Sequence, residues 1–513
     1  MPDELPDFHP RKILRDWSPW ARGSAFHISD AQTGVISFGS TGSGKTSGPA
    51  RHYGISYLAN NFGGVVLCSK NDERPMWEEW ARETHRTRDL IIIDKSAKWR
   101  CNFLEWEASR AGAGGGLTIN IVALLDELAG AIASDAAAAG EGAGDNKFFS
   151  DALHHMNTNL VDICLLAEMP VSLPLMRAIV NTAPQSAREA QSDEWKHGRG
   201  ECAVMLSEAA ERTAKADEDT RADFEECETY WTQEWPGLSE RTRSIVQLSF
   251  SMLVRPLITR PLRRLMSTDT NVTPEAAFAG KILIIDCPVQ EYFLAGKIIN
   301  LAWKFCFQRA LLGRVQPTDG TYLRPCFLHM DEAQNFLTEY DTLWASLARS
   351  AGGCFSVMVQ NRESMVRVLK SEAAVDSLLG NLQCQCFCQN SSVSTNAYAS
   401  KLIGERYTDI VGITTGQHRN PQADDPSHST GTSISEQKRY WLEPSAFNHL
   451  RRGGEGNQRI VDCIIYNGGA KFQGVDEHGA PALLPYLHIP FEQQKKEPPP
   501  QNTRGGPLRF LRG

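Results

Sequence analysis

Eight short, nearly continuous apolar runs punctuate this chain: Val35–Phe38, Val65–Cys68, Leu90–Ile93, the centre of Lys281–Asp286, Phe327–Met330, Cys354–Val359, Cys384–Cys388 and Ile460–Tyr466. A strand with one wet face alternates apolar and polar residues, whereas a run without alternation suits a strand covered on both faces, the habit of parallel sheets. Helical spacing fills the intervals, as over Arg51–Asn60 and Pro75–Arg86. The pattern breaks at 111–146, where two Ala/Gly-rich tracts flank one short predicted helix and read as linker. Residues 147–268 keep helical periodicity with no convincing strand. The pattern predicts an α/β protein: an N-terminal irregular segment at 1–30, a parallel-sheet domain from 31–110 and 270–490, an all-α insertion at 147–268, and a tail at 491–513. Residues 416–436 are polar and read as loop.

The first run ends in Gly39-Ser40-Thr41-Gly42-Ser43-Gly44-Lys45-Thr46-Ser47, which satisfies G-x-x-x-x-G-K-[ST] between a predicted strand and a predicted helix. Glycines let successive backbone N–H groups point inward around phosphate oxygens, and the helix N-terminus adds its positive end. Such a loop places Lys45 on the β- and γ-phosphates and the Thr46 hydroxyl on Mg²⁺, so ATP and Mg²⁺ are the expected cofactors. Pro49 sits at the first turn of the helix and should strain it mildly.

A phosphate loop needs an acid on another strand. Cys326-Phe327-Leu328-His329-Met330-Asp331-Glu332 offers Asp331 for the Mg²⁺ shell and Glu332 to orient and deprotonate water. Asp286 also ends an apolar run and is the rival acid, with capping of the next turn preferred as its role. Gln360 ends the strand that follows the Asp-Glu strand and is placed to sense the γ-phosphate. Just upstream, Arg349 is the candidate finger for a neighbour's nucleotide, with Arg362 as its rival and a solvated helix-end arginine as the bland alternative.

In this order the residues resemble the TraG/TraD coupling proteins of type IV secretion, conjugative DNA pumps of the FtsK/HerA superfamily. The resemblance rests on the phosphate loop, Ser69-Lys70-Asn71-Asp72-Glu73, Asn146-Lys147-Phe148-Phe149, Met330-Asp331-Glu332-Ala333, Gln360, and Glu436–Leu450 with Arg439 and Pro444, and it spans roughly 30–470. It implies a RecA-like core with an inserted all-α domain, a homo-hexameric ring, and ATP-driven passage of DNA or protein toward a secretion channel. It also implies a relaxase, accessory or effector protein as the partner of the all-α domain. The family usually begins with two membrane helices, and no apolar run here approaches the ~18–20 residues of a span. The expectation is therefore a cytoplasmic or peripheral chain that docks to an inner-membrane or channel partner. Alternatives are a HerA-like DNA translocase in repair or phage defence, and a nucleotide-dependent recruitment adaptor that does not pump.

Composition narrows this picture. Apolar residues at 41% and charged residues at 22% allow a sizeable core and exclude collagen, coiled coil, a disulfide mini-protein and a wholly disordered chain. Thirteen irregularly spaced cysteines suggest free thiols in a reducing compartment. The net charge of −8 is local: residues 205–240 hold eleven Asp/Glu against three Lys/Arg, and the rest of the chain sums to zero. Bulk charge therefore does not attract nucleic acid, and any DNA contact must be focal, as inside a ring. From Gln494 onward the tail has five basic residues and one acidic, and is expected to be disordered. Cys384, Cys386 and Cys388 alternate and read as buried thiols on one strand face rather than zinc ligands. His154-His155 reads as surface or packing, and Arg260, Arg263 and Arg264 as a solvated basic face.

Overall fold

The computed structural model describes residues 5–17, 24–112, 114–138, 146–260, 262–418, 427–475 and 479–494. Nine strands form the central sheet: β1 (Val35–Phe38), β2 (Gly63–Leu67), β3 (Leu90–Ile93), β4 (Ile282–Ile285), β5 (Cys326–Met330), β6 (Gly353–Val359), β7 (Cys384–Phe387), β8 (Ile460–Asn467) and β9 (Leu487–Glu492). Their order is β9-β8-β7-β1-β6-β5-β2-β4-β3. The seven strands from β7 to β3 run parallel, and β8 and β9 add an antiparallel edge. This is an α/β sheet of the RecA-like kind.

The unalternating runs have the expected cause. Val65 and Leu67 pack into one buried cluster while Val66 and Cys68 pack into a second on the opposite face. Tyr53, Tyr57, Trp77 and Trp80 cover that second face from the helices Arg51–Ala59 and Glu73–Glu83. The first cluster runs on without a break into the helices between β3 and β4, through Leu160, Met176, Leu206, Trp231 and Phe250. These helices start on side-chain caps: Ser172, Asp217 and Ser239 accept from the backbone three residues on. No helix among the described residues is long and apolar enough to cross a membrane.

Four expectations need correction. The short helix expected within 111–146 is the 21-residue helix Thr118–Ala138, which packs on Asn146–Leu166; its Ala-rich end favours helix where composition suggested linker. Residues 1–30 contain a two-stranded ribbon, Ile13–Asp16 with Ala25–His27, followed by the helix Ile28–Gln32. Trp17 at its end is buried and stacks on His52 at 4.8 Å. Residues 416–436 do not form a simple loop: Glu405–His418 and Ser427–Tyr440 pair along fourteen registered positions. Neither strand of that ribbon joins the central sheet, so it lacks the apolar run that betrays the others. Phe491 and Glu492, assigned to the tail, belong to β9 and pair with Val461 and Ile460. The remainder of the tail, 495–513, lies outside the described residues.

The weaker sequence signals resolve locally. Cys384, Cys386 and Cys388 are fully buried, and the Tyr53 hydroxyl lies 2.8 Å from Cys386 Sγ. His154 meets Asp126 at 2.6 Å, while His155 packs on Tyr230 at 4.8 Å. Arg260, Arg263 and Arg264 are exposed.

Candidate nucleotide site

In a parallel sheet the loops at the carboxyl ends of the strands converge on one rim. Here that rim gathers Gly39 after β1, Ser69 and Lys70 after β2, Asp331 and Glu332 after β5, Gln360 after β6, and Gln389 and Asn390 after β7. The loop after β1 is pinned on both sides: Gly39 N–H donates to Gln360 O at 3.2 Å and Ser40 N–H to Gln389 O at 2.9 Å. Gly42 and Gly44 sit at φ +73° and +86°, and a Cβ on Gly44 would collide with Val461. Thr46–Ala50 is one turn of π-helix. Pro49 has no N–H to continue an α-helical ladder, and Ala50 N–H reaches back five residues to Lys45 O. Gln493 Nε2 donates to Ser47 Oγ at 2.7 Å, so the edge strand β9 braces this turn.

Lys45 is buried at 6% exposure, and its ammonium donates to Gly39 O at 2.6 Å. Burial lowers its pKa from the usual lysine value, against the pull of Glu332 and Asp331. A desolvated cation with donors to spare, beside the buried Ser43 hydroxyl that has no hydrogen-bond partner among the described residues, suits an anion. The residues therefore fit a phosphate group. Thr46 Oγ1 donates to Asp331 Oδ2 at 3.1 Å across 285 positions of sequence. This hydroxyl and carboxylate, both oxygen donors, suit a hard divalent cation.

Glu332 takes the left-handed conformation at φ 47°, ψ 50°, which turns its side chain across the rim. Its Oε1 accepts from Lys70 Nζ at 2.7 Å, and its Oε2 from Gln334 Nε2 at 2.8 Å and Gln360 Nε2 at 3.1 Å. Burial opposes its charge, yet Lys70 and Gln334, with Lys45 further off, hold the carboxyl below its ordinary range. The sequence motif at 69–73 gave Lys70 no role; no short pattern announces that β2 lies beside β5 and brings the two together. Asp286, the rival acid, is engaged elsewhere, in an ion pair with Arg74 at 2.8 Å.

Arg349 lies apart, exposed in the turn Ala348–Ala351 at the amino end of β6, with no ion pair among the described residues. Arg362 is committed within the chain: it pairs with Glu372 and, at 2.5 Å, with Asp376.

Residues 325–452, which carry Asp331, Glu332, Arg349 and Gln360, match the family model described as the TraM recognition site of TraD and TraG. That segment, about a quarter of the chain, is TraG/TraD-like. Solved structures agree with this at the level of the fold. The chain is similar to the bacterial conjugative coupling protein TrwBdeltaN70 in its unbound form, at TM-score 0.56 and 10% identity over 94% of this chain and 88% of that one. It is similar to TrwB in complex with the ATP analogue ADPNP, at TM-score 0.55 and 11% identity over 96% and 91%. TrwB with ADP and Mg²⁺ matches at TM-score 0.55 and 11% identity over 94% and 91%. Among the curated proteins no sequence matches it significantly.

Proposed function

We propose that this chain is an ATP-hydrolysing, ring-forming motor that couples a DNA or protein substrate to a type IV secretion or conjugation channel. The observation that carries the reading is the Thr46–Asp331 contact at 3.1 Å, with Glu332 next to it and Gln360 on its carboxylate. Lys45 and the inward backbone of Gly39–Thr46 would hold the β- and γ-phosphates. Thr46 and Asp331 would hold Mg²⁺, which when bound neutralises phosphate charge. Glu332 would orient and deprotonate the attacking water, and Gln360 would report the γ-phosphate to β6. The likeness to nucleotide-bound TrwB supports ATP and Mg²⁺ as the ligands.

In a ring, Arg349 is the finger for the neighbouring subunit, since the competing Arg362 is already neutralised. Specific ATPase activity should then rise with protein concentration and with DNA, which templates assembly. Mixing Arg349→Ala with Lys45→Ala subunits should restore activity above the sum of the two, because each supplies what the other lacks at one interface. Full activity of Arg349→Ala alone, with no gain in any mixture, would remove Arg349 from the site. Turnover that never responds to DNA would favour a recruitment adaptor over a pump.

The helix Glu218–Thr229, capped by Asp217, carries much of the acid excess. Like charge disfavours DNA there and steers a basic protein partner, such as a relaxase or accessory factor, toward the all-α region. Replacing Asp217, Glu218 and Asp219 with Asn, Gln and Asn keeps the cap and removes three charges. The expected outcome is unchanged basal ATPase with weaker, less salt-dependent partner capture. Equal capture at low salt would reduce this face to a solubility role.

A further inference from the structure

Glu332 is held by three donors in this arrangement. A carboxylate offers about four acceptor sites. Three are taken here, by Lys70 Nζ at 2.7 Å and by the amides of Gln334 and Gln360 at 2.8 and 3.1 Å. A base in that state has little capacity left to grip a water. Of the three donors, Lys70 is the one built to leave. Its backbone is anchored: the buried Glu73 carboxylate accepts from Ser69 N–H at 3.0 Å and Lys70 N–H at 3.1 Å, and Ser69 Oγ accepts from Asn335 Nδ2 at 2.6 Å. Its side chain is 40% exposed, against 10% for Glu332, so the ammonium swings on a flexible stem at small desolvation cost. It also lies 3.9 Å from Asp331 Oδ2, the oxygen that Thr46 of the phosphate loop touches. An anion seated on that loop therefore comes within the sweep of Lys70 as well as within reach of Lys45, whose ammonium keeps donors beyond the one to Gly39 O.

Resting on the nucleotide reading above, we propose that Lys70 is a latch on Glu332, released by the terminal phosphate of a bound nucleoside triphosphate. The γ-phosphate brings more negative charge and more acceptor oxygens than one carboxylate, and draws the ammonium across. Glu332 is then freed only when there is a bond to hydrolyse. A nucleoside diphosphate lacks the group that competes for Lys70 and leaves the latch closed. Lys70 is thus a positioning residue: it governs which state Glu332 occupies, and gives the site a preference for triphosphate.

Calorimetric titration of the full chain with Mg²⁺ and either a non-hydrolysable ATP analogue or ADP tests this. Lys70→Met should leave ADP affinity within about twofold of wild type and cut the preference for the ATP analogue by about tenfold or more, the worth of one charge-assisted hydrogen bond. Lys70→Arg should keep most of the preference. Glu332→Gln removes the latch's anchor and should tighten the ATP analogue, and that gain should vanish in the Lys70→Met, Glu332→Gln double variant, the non-additivity expected of a contacting pair. If Lys70→Met binds ADP normally and keeps the wild-type preference, the latch is wrong while the nucleotide reading stands. If wild type binds neither nucleotide, both fall.

Discussion

Glu332→Gln should bind ATP and turn it over at least ~10²-fold more slowly than wild type, the usual worth of a general base. The amide preserves the shape of the side chain but loses its charge and one of the two acceptor oxygens that Lys70, Gln334 and Gln360 share, so the Lys70 contact weakens while the backbone of the rim is untouched. It loses the one property that water activation needs, a basic oxygen. Lys45→Ala fails differently. The buried ammonium that donates to Gly39 O is the loop's own positive charge, and its loss should weaken nucleotide binding itself. Phosphate release at saturating ATP, measured beside nucleotide affinity, separates the two: a rate defect with binding intact for Glu332→Gln, and a binding defect for Lys45→Ala. Undiminished hydrolysis by Glu332→Gln would remove it from the role of base.

What was legible beforehand follows from physics that is local in sequence. Strands buried on both faces cannot alternate, so β1 to β8 each announce themselves as apolar runs. A glycine-rich turn between strand and helix is similarly self-contained, and Gly42 and Gly44 do take the positive φ that such a turn requires. The ribbon Glu405–Tyr440 escaped because its pairing, rather than a buried face, makes it a strand pair. The helix Thr118–Ala138 escaped because alanine favours helix while Ala/Gly composition mimics linker. At the site, the missing information was sheet order. Lys70 and Glu332 are 262 residues apart, and only the adjacency of β2 and β5 brings them to 2.7 Å. Gln493 on Ser47 and Gln389 behind Ser40 are non-local in the same way.

The chain segment after Glu332 depends on a buried ion pair whose disruption should be severe. Lys304, on the helix Val289–Leu312, and Asp341, at the start of Tyr340–Leu347, have no exposed side-chain surface and meet at 2.6 Å. Burial depresses the Lys304 ammonium below the usual lysine value, and Asp341 acts against that fall. Lys304 Nζ also donates to Phe336 O at 2.8 Å, which ties the 332–341 segment to the helix beneath it. Asp341 in turn accepts from Gln308 Nε2 and Thr338 N–H, each at 2.7 Å. Asp341→Ala strands the Lys304 charge and the Gln308 and Thr338 donors in a dry interior, and should cost about 3–5 kcal/mol of stability. Pairing Lys304→Met with Asp341→Leu removes both charges and should recover much of that loss, because the penalty lies in the uncompensated charge. Turnover should recover less than stability does, since the double variant still lacks the Phe336 and Thr338 contacts that hold the segment behind Glu332. Urea unfolding followed by tryptophan fluorescence gives the first quantity, and phosphate release in the folded baseline gives the second. An Asp341→Ala midpoint equal to wild type would show that the pair contributes nothing, and that the 332–341 segment is held by packing of Phe336 and Trp344 alone.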